Sequence, residues 1–212
     1  KKDKMLLPDN RSLAETQLRS LEKSLSKNPE KARMYNEVIM QYVENDWATP
    51  LDQEDLKSDT KPVYYLPHHD VYRPDKKSTP LRVVFDPASP FHGISLNSLL
   101  HKGPGLIGNL LGVSLRFREE RVAFSGDISK MFLQILLPEQ NTHVHRFLWR
   151  NLGTSKEPTT YALQRVTFGD KPSPDMASFV MLKMADENEK DAIDMWMISF
   201  ILVQTRVKQK GA

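Results

Sequence analysis

Val122-Ala123-Phe124-Ser125-Gly126-Asp127-Ile128-Ser129-Lys130-Met131-Phe132 is the stretch on which the fold turns. A β-branched and aromatic run leads to a lone carboxylate at Asp127. A ring follows five positions later at Phe132, and an apolar segment, 133–137, comes next. The pattern predicts a buried strand that delivers one carboxylate, then a turn that delivers one ring beside it. An isolated Asp at a strand end also serves as a cap or turn residue. The weight given to Asp127 therefore depends on what surrounds it.

The chain has 212 residues, 39% hydrophobic and 27% charged, with a formal net charge of +3. That length supports one sizeable domain, or a domain with an appended subdomain. The mild positive balance suits a polyanionic partner without requiring one. There are no cysteines, which excludes disulfides, thiolate metal sites and a Cys nucleophile. The basic start, Lys1-Lys2-Asp3-Lys4, is not followed by the apolar core of a signal peptide. No stretch reaches the about 20 apolar residues of a membrane span, so no membrane partner is expected. Serines and histidines are present, but no Gly-x-Ser-x-Gly elbow occurs, which leaves a Ser-His-Asp hydrolase unsupported.

Upstream of the opening stretch, Ser12-Leu13-Ala14-Glu15 fits a capping box with Ser12 as N-cap. Leu18, Leu21 and Leu25 follow at helical spacing. Asn28-Pro29 starts a second helix, with Asn28 as N-cap, whose apolar stripe is Val38, Ile39, Tyr42 and Val43. The spacing predicts an αα-hairpin over 12–46. Residues 48–61 read as loop, and Val63-Tyr64-Tyr65-Leu66 as a strand stopped by Pro67. Adjacent strand residues face opposite sides, so His68-His69 does not make a metal pair.

Residues 73–80 form a basic turn containing Lys76 and Lys77, and 81–86 a strand carrying Arg82. A mobile ammonium beside a forked guanidinium makes a phosphate clamp. A solvated hairpin tip has the same pattern. Residues 87–104 read as loop, and 106–117 as a well-buried helix. Downstream, 145–149 and 161–167 read as two strands joined by a polar loop.

Phe168-Gly169-Asp170-Lys171-Pro172-Ser173-Pro174 then turns into a helix, with Ser173 as N-cap and Pro174 first inside, running towards Glu189. Gly169 and the helix start at Ser173 offer N–H groups to an anion, while Asp170 brings negative charge into the same turn. A capped helix alone has the same pattern. The elements together predict an α+β fold.

The order of these pieces resembles the reverse transcriptase domain of BEL/Pao-type LTR retrotransposon polyproteins. The similarity spans almost the whole chain. It rests on Leu7-Pro8-Asp9-Asn10-Arg11-Ser12-Leu13-Ala14, on Tyr64-Tyr65-Leu66-Pro67-His68-His69, on Leu81-Arg82-Val83-Val84-Phe85-Asp86 and on Ser95-Leu96-Asn97-Ser98-Leu99-Leu100. Lys102-Gly103-Pro104, Leu111-Gly112-Val113, Arg116-Phe117-Arg118, Asp127-Ile128-Ser129-Lys130-Met131-Phe132, Arg146-Phe147-Leu148-Trp149 and Phe168-Gly169 with Ser173-Pro174 continue it.

The resemblance implies a right-hand polymerase, here its fingers and partial palm over 51–212, with an antiparallel sheet and packed helices, preceded by the helical hairpin of 1–50. It implies RNA-directed DNA synthesis by two-metal nucleotidyl transfer with Mg²⁺. The implied partners are an RNA template, an RNA–DNA hybrid and dNTP, and the implied setting is intracellular, in cytoplasm or nucleus. Asp127 would be the catalytic metal ligand, and Phe132 the ring that selects deoxyribose. Lys76, Lys77 and Arg82 would grip the triphosphate. Gly169 and Ser173 would face nucleotide and template.

The family's aromatic-x-Asp-Asp motif does not occur in this sequence; where its hairpin is expected stands Ile198-Ser199-Phe200-Ile201-Leu202-Val203-Gln204, without an acid. The family's thumb, connection and ribonuclease H regions have no counterpart either. The product is therefore expected to be inactive alone, and to pair with another polyprotein segment through its uncovered palm strands. The alternatives are a non-catalytic nucleic-acid-binding module, an inert retroelement remnant, and an unrelated α+β interaction scaffold.

Overall fold

The computed structural model describes residues 7–56, 62–76, 79–106, 109–119, 121, 124–126, 128–187 and 203–205. Helices and small antiparallel sheets mix along the chain, an α+β arrangement. The chain divides into two compact units. The first takes in 1–100 and 136–171, and the second 101–135 and 172–212.

The first unit opens with α1 (Arg11–Leu25) and α2 (Pro29–Glu44), the expected helical pair. Leu18, Leu21, Leu25 and Ile39 are buried and Val38 and Tyr42 pack half-buried against the same core, so the predicted stripes face it; Tyr35, outside the predicted stripe, is buried as well. Asn28 caps α2 by accepting the Lys31 N–H at 3.0 Å, with Pro29 in the first turn. The start of α1 departs from the capping-box expectation. The helix begins at Arg11, ahead of Ser12, and Glu15 turns to Arg11 at 3.0 Å. Asn10, at the cap position, spends its amide elsewhere. It donates to the Tyr65 carbonyl and accepts the Tyr65 N–H, each at 2.7 Å. One buried side chain thus ties the helix start to the extended chain at 64–66.

That extended chain is not the regular strand expected there. Leu66 N–H donates to the Arg146 carbonyl at 2.6 Å, and Arg146 N–H to the Tyr64 carbonyl at 3.1 Å. The regular strand β2 (His68–Tyr72) begins after Pro67 and pairs antiparallel with β3 (Leu81–Phe85), His68 opposite Phe85. Pro67 lacks an N–H and contributes its carbonyl instead, accepting the Asp86 N–H at 2.8 Å. A three-stranded antiparallel sheet runs β1–β6–β5, from β1 (Ala48–Pro50), β5 (Arg146–Trp149) and β6 (Thr159–Leu163). The expected 87–104 loop holds one helical turn, α4 (Leu96–Leu99), closed by a Ser95–Ser98 capping box. Short helices α3 (Gln53–Leu56) and α6 (Glu139–Thr142) and a 3₁₀ turn, His143–His145, complete the unit.

The core of this unit is aromatic and centres on His68. Its ring lies 5.7–5.9 Å from those of Tyr35, Phe85, Phe147 and Trp149. His68 Nε2 donates to the Leu148 carbonyl at 2.9 Å, and in the neutral ring Nδ1 accepts the Tyr35 hydroxyl hydrogen. His69, the neighbour on the opposite face, is exposed. Two ion pairs tie the helices to the strands. Glu22 takes Arg150 bidentately at 2.6 and 2.7 Å, and Lys31 meets Asp70 at 2.7 Å.

The second unit holds α5 (Leu110–Arg116), β4 (Phe124–Gly126), a 3₁₀ turn over Met131–Gln134, α7 (Ser173–Glu187) and β7 (Val203–Thr205). The expected buried helix over 106–117 is shorter and less covered. Asn109 caps it by accepting the Leu111 N–H at 3.0 Å, and Leu111 and Leu115 are 67% and 58% exposed. Residues 105 and 106 are drawn to α7 instead: Asp175 accepts the Gly105 N–H at 3.0 Å and the Leu106 N–H at 3.2 Å. No helix among the described residues is long and apolar enough to cross a membrane.

Burial, offset in part by the Leu148 carbonyl, lowers the His68 pKa from 6.5 to about 4. A depressed folded value adds stability above the unfolded pKa and loses it as pH falls through the folded one. Unfolding free energy therefore declines from about pH 6.5 to about pH 4, by up to about 3 kcal/mol from this group. Urea titrations across that range, with His68→Leu losing this component of the slope, check the outcome.

Candidate functional site

The sequence-predicted site residues divide between the two units. Lys76, Arg82 and Gly169 belong to the first; Phe132 and Ser173 belong to the second. Lys77 and Asp127 lie outside the described residues, as does most of the segment where an acidic hairpin was sought.

In the first unit, the basic turn is a hairpin tip as predicted. Arg73 N–H donates to the Pro80 carbonyl at 2.6 Å, which closes the connection between β2 and β3. Arg73, Lys76 and Arg82 are all exposed. Arg82 projects outward because β3 alternates, with Leu81, Val83 and Phe85 turned to the core. The hairpin thus carries cationic groups on solvent-facing positions, where they can meet phosphates at little desolvation cost.

The same strand leads to Gly169. This glycine has φ +105°, and a Cβ there would stand 3.1 Å from Pro87 Cδ and 3.2 Å from the Phe85 carbonyl oxygen. Only glycine combines that backbone conformation with so close an approach. Asn97, on α4, fixes the turn from the other side. Its Nδ2 donates to the Gly169 carbonyl and its Oδ1 accepts the Lys171 N–H, both at 2.8 Å. Its own N–H donates to the Pro87 carbonyl at 2.9 Å. The structure therefore brings Gly169 against the end of the strand that carries Arg82.

Asp170 does not present its charge outward, as its place in the turn had implied. It is 5% exposed, and its Oδ2 lies 2.9 Å from His145 Nε2 and 3.3 Å from Thr167 Oγ1. Burial by itself would lower the His145 pKa, but the hydrogen bond and charge of Asp170 outweigh it and hold the value above 6.5. Phe168, beside it, is 62% exposed.

In the second unit, Phe132 is half-buried in the 3₁₀ turn that follows Lys130, whose φ of +54° reverses the chain. Ser173 is not the N-cap that the sequence predicted. It lies inside α7 and is buried, and the Met176 N–H donates to the Pro172 carbonyl at 2.9 Å, so the helix starts from Pro172. The first-turn carboxylate of Asp175 faces the amides of 105 and 106, which occupies that end of the helix with an internal contact. β4, which precedes Asp127, pairs antiparallel with β7, Gly126 opposite Val203 and Phe124 opposite Thr205.

Among the described residues, no group of three His, Asp or Glu side chains comes together as a metal-holding set. The partner strand of β4 consists of Val203, Gln204 and Thr205 and offers no carboxylate. Asn97 and His145 had no assigned role in the sequence, and Asp170 only that of a charge in the turn. Their partners lie 72, 74 and 25 positions away, beyond the reach of any local pattern. No protein-family model matches the chain, and no curated protein matches it.

Gly169→Ala forces a β-carbon into Phe85 and Pro87 at a positive φ and lowers stability by roughly 1–3 kcal/mol. Asn97→Ala removes two bonds to the turn and costs roughly 1–3 kcal/mol. Equilibrium denaturation of the two variants against wild type measures both losses.

Proposed function

We propose that the chain is a polymerase-derived scaffold, the fingers and partial palm of a reverse transcriptase of the BEL/Pao type, which grips nucleic acid without extending a primer. The observation that carries this reading is the antiparallel pairing of β4 with β7. In a polymerase palm, the strand that leads to the first metal-binding Asp lies beside the hairpin that bears the second pair of acids. Here Asp127 follows β4 directly, and the strand beside β4 brings Val203, Gln204 and Thr205. One carboxylate cannot offset the mutual repulsion of two closely spaced divalent cations. No catalytic step is therefore assigned to Mg²⁺ in this product.

The binding half of the function needs no metal. Lys76, Lys77 and Arg82 supply the cationic grip on phosphates, with an RNA template or RNA–DNA hybrid as the partner and dNTP as the small ligand of the ancestral site. Phe132 would stand where the sugar of a nucleotide packs, and Gly169 and Ser173 on the side of the template. The arrangement of Arg82 on β3, with Gly169 packed on the end of that strand, supports a shared phosphate-facing edge in the first unit.

Primer extension with an RNA template, a DNA primer, dNTPs and either Mg²⁺ or Mn²⁺ gives no product on this reading. Incorporation that disappears with Asp127→Ala would overturn it.

A further inference from the structure

His145 faces hydrogen-bond acceptors on both ring nitrogens. Nδ1 lies 2.8 Å from the Asn141 carbonyl oxygen, and Nε2 lies 2.9 Å from Asp170 Oδ2. A carbonyl can only accept, so Nδ1 carries a hydrogen. Nε2 then meets an ionised carboxylate favourably only if it carries a second one. The other neutral tautomer moves the lone pair to Nδ1 and sets it against the Asn141 carbonyl instead. Either neutral tautomer thus opposes two acceptors at hydrogen-bond distance, unless Asp170 itself holds the proton. Both side chains are about nine-tenths or more buried, at 5% and 4% exposure, and Asp170 Oδ1 is buried with no hydrogen-bond partner. Burial keeps bulk solvent away from the pair.

Among the described residues, Asp170 is the charged group that hydrogen-bonds the ring. From α6, apart from the Asn141 carbonyl, the titratable side chain is Glu139, which is exposed. On the 3₁₀ turn, His143 Nδ1 is engaged by Arg146 Nη2 at 2.7 Å. β6 brings Tyr161, stacked on Phe147. Within the turn, Thr167 Oγ1 donates to the same Asp170 oxygen that His145 touches, and Lys171 is exposed.

We infer that the His145–Asp170 pair is a single-proton latch, which docks the turn 167–171 while the shared proton is present and loosens it when that proton leaves. The turn holds exposed Phe168 and tightly packed Gly169, so the latch governs how that surface is presented. Asn97 supplies the part of the docking that does not titrate. This inference is independent of the polymerase reading, because every group in it is fixed within the first unit. A group whose folded pKa is raised contributes stability below its unfolded value and loses it as pH rises through the folded one. The latch is therefore closed at low pH and opens above 6.5, the ordinary histidine value.

The test is NMR on the full chain, with side-chain ¹⁵N signals of His145 and exchange protection of amides 167–171 followed from about pH 5 to about pH 10. Wild type should show a cationic ring at low pH, and protection, corrected for intrinsic rates, should fall by about tenfold or more as His145 titrates. Asp170→Asn should abolish that transition. Its amide can donate to a neutral ring, so the turn stays docked throughout. His145→Gln, which carries no titrating group, should likewise be flat. A neutral His145 across the whole range, unchanged protection while it titrates, or the same transition in Asp170→Asn would each overturn the latch.

Discussion

The first unit depends on a buried histidine whose desolvation favours the neutral ring. His68 is the point where α2, the β2–β3 hairpin and β5 meet: Tyr35 donates to it, Leu148 accepts from it, and Phe85, Phe147 and Trp149 surround it. A neutral ring satisfies both partners, donating to Leu148 and accepting from Tyr35, and burial favours that neutral form. The bonds are buried, so each failed partner carries the full cost of desolvation. His68 lies opposite Phe85, the last residue of β3, against whose carbonyl Gly169 packs.

The same unit contains the opposite arrangement. His145 is also enclosed, yet both of its partners are acceptors, so its site with Asp170 favours holding a further proton. Two buried histidines in one unit thus shift oppositely, His68 downward through burial and His145 upward through Asp170, and their effects on stability run oppositely with pH. Burial pushes both towards neutrality; the Asp170 carboxylate decides His145.

Local rules made part of this legible in the sequence. The helical pair, its Asn28 cap, the basic hairpin tip and the β5–β6 hairpin follow from periodicity and turn chemistry, which act over a few residues. Failures occurred where a distant partner overrode a local preference. Asn10 serves Tyr65, 55 positions away, and the capping box at Ser12 gives way. The strand signal at 63–66 yields to pairing with Arg146, and regular pairing starts only past Pro67. Of the candidate site, exposed Lys76 and Arg82 and the special backbone at Gly169 were legible from residue type. The clamp by Asn97, the burial of Asp170 and the place of Ser173 inside α7 depend on long-range packing.

The functional proposal joins a resemblance in sequence to a surface that can act without catalysis: cationic groups at 73, 76 and 82 stand exposed on one hairpin, in a chain of net charge +3. Binding of an RNA–DNA hybrid across a salt series tests this most directly. The account predicts an affinity that falls steeply and linearly on a log–log plot, with a slope reduced by about one for each of Arg73→Ala, Lys76→Ala and Arg82→Ala. Absence of salt-dependent binding, or a slope that the three substitutions leave unchanged, would contradict it.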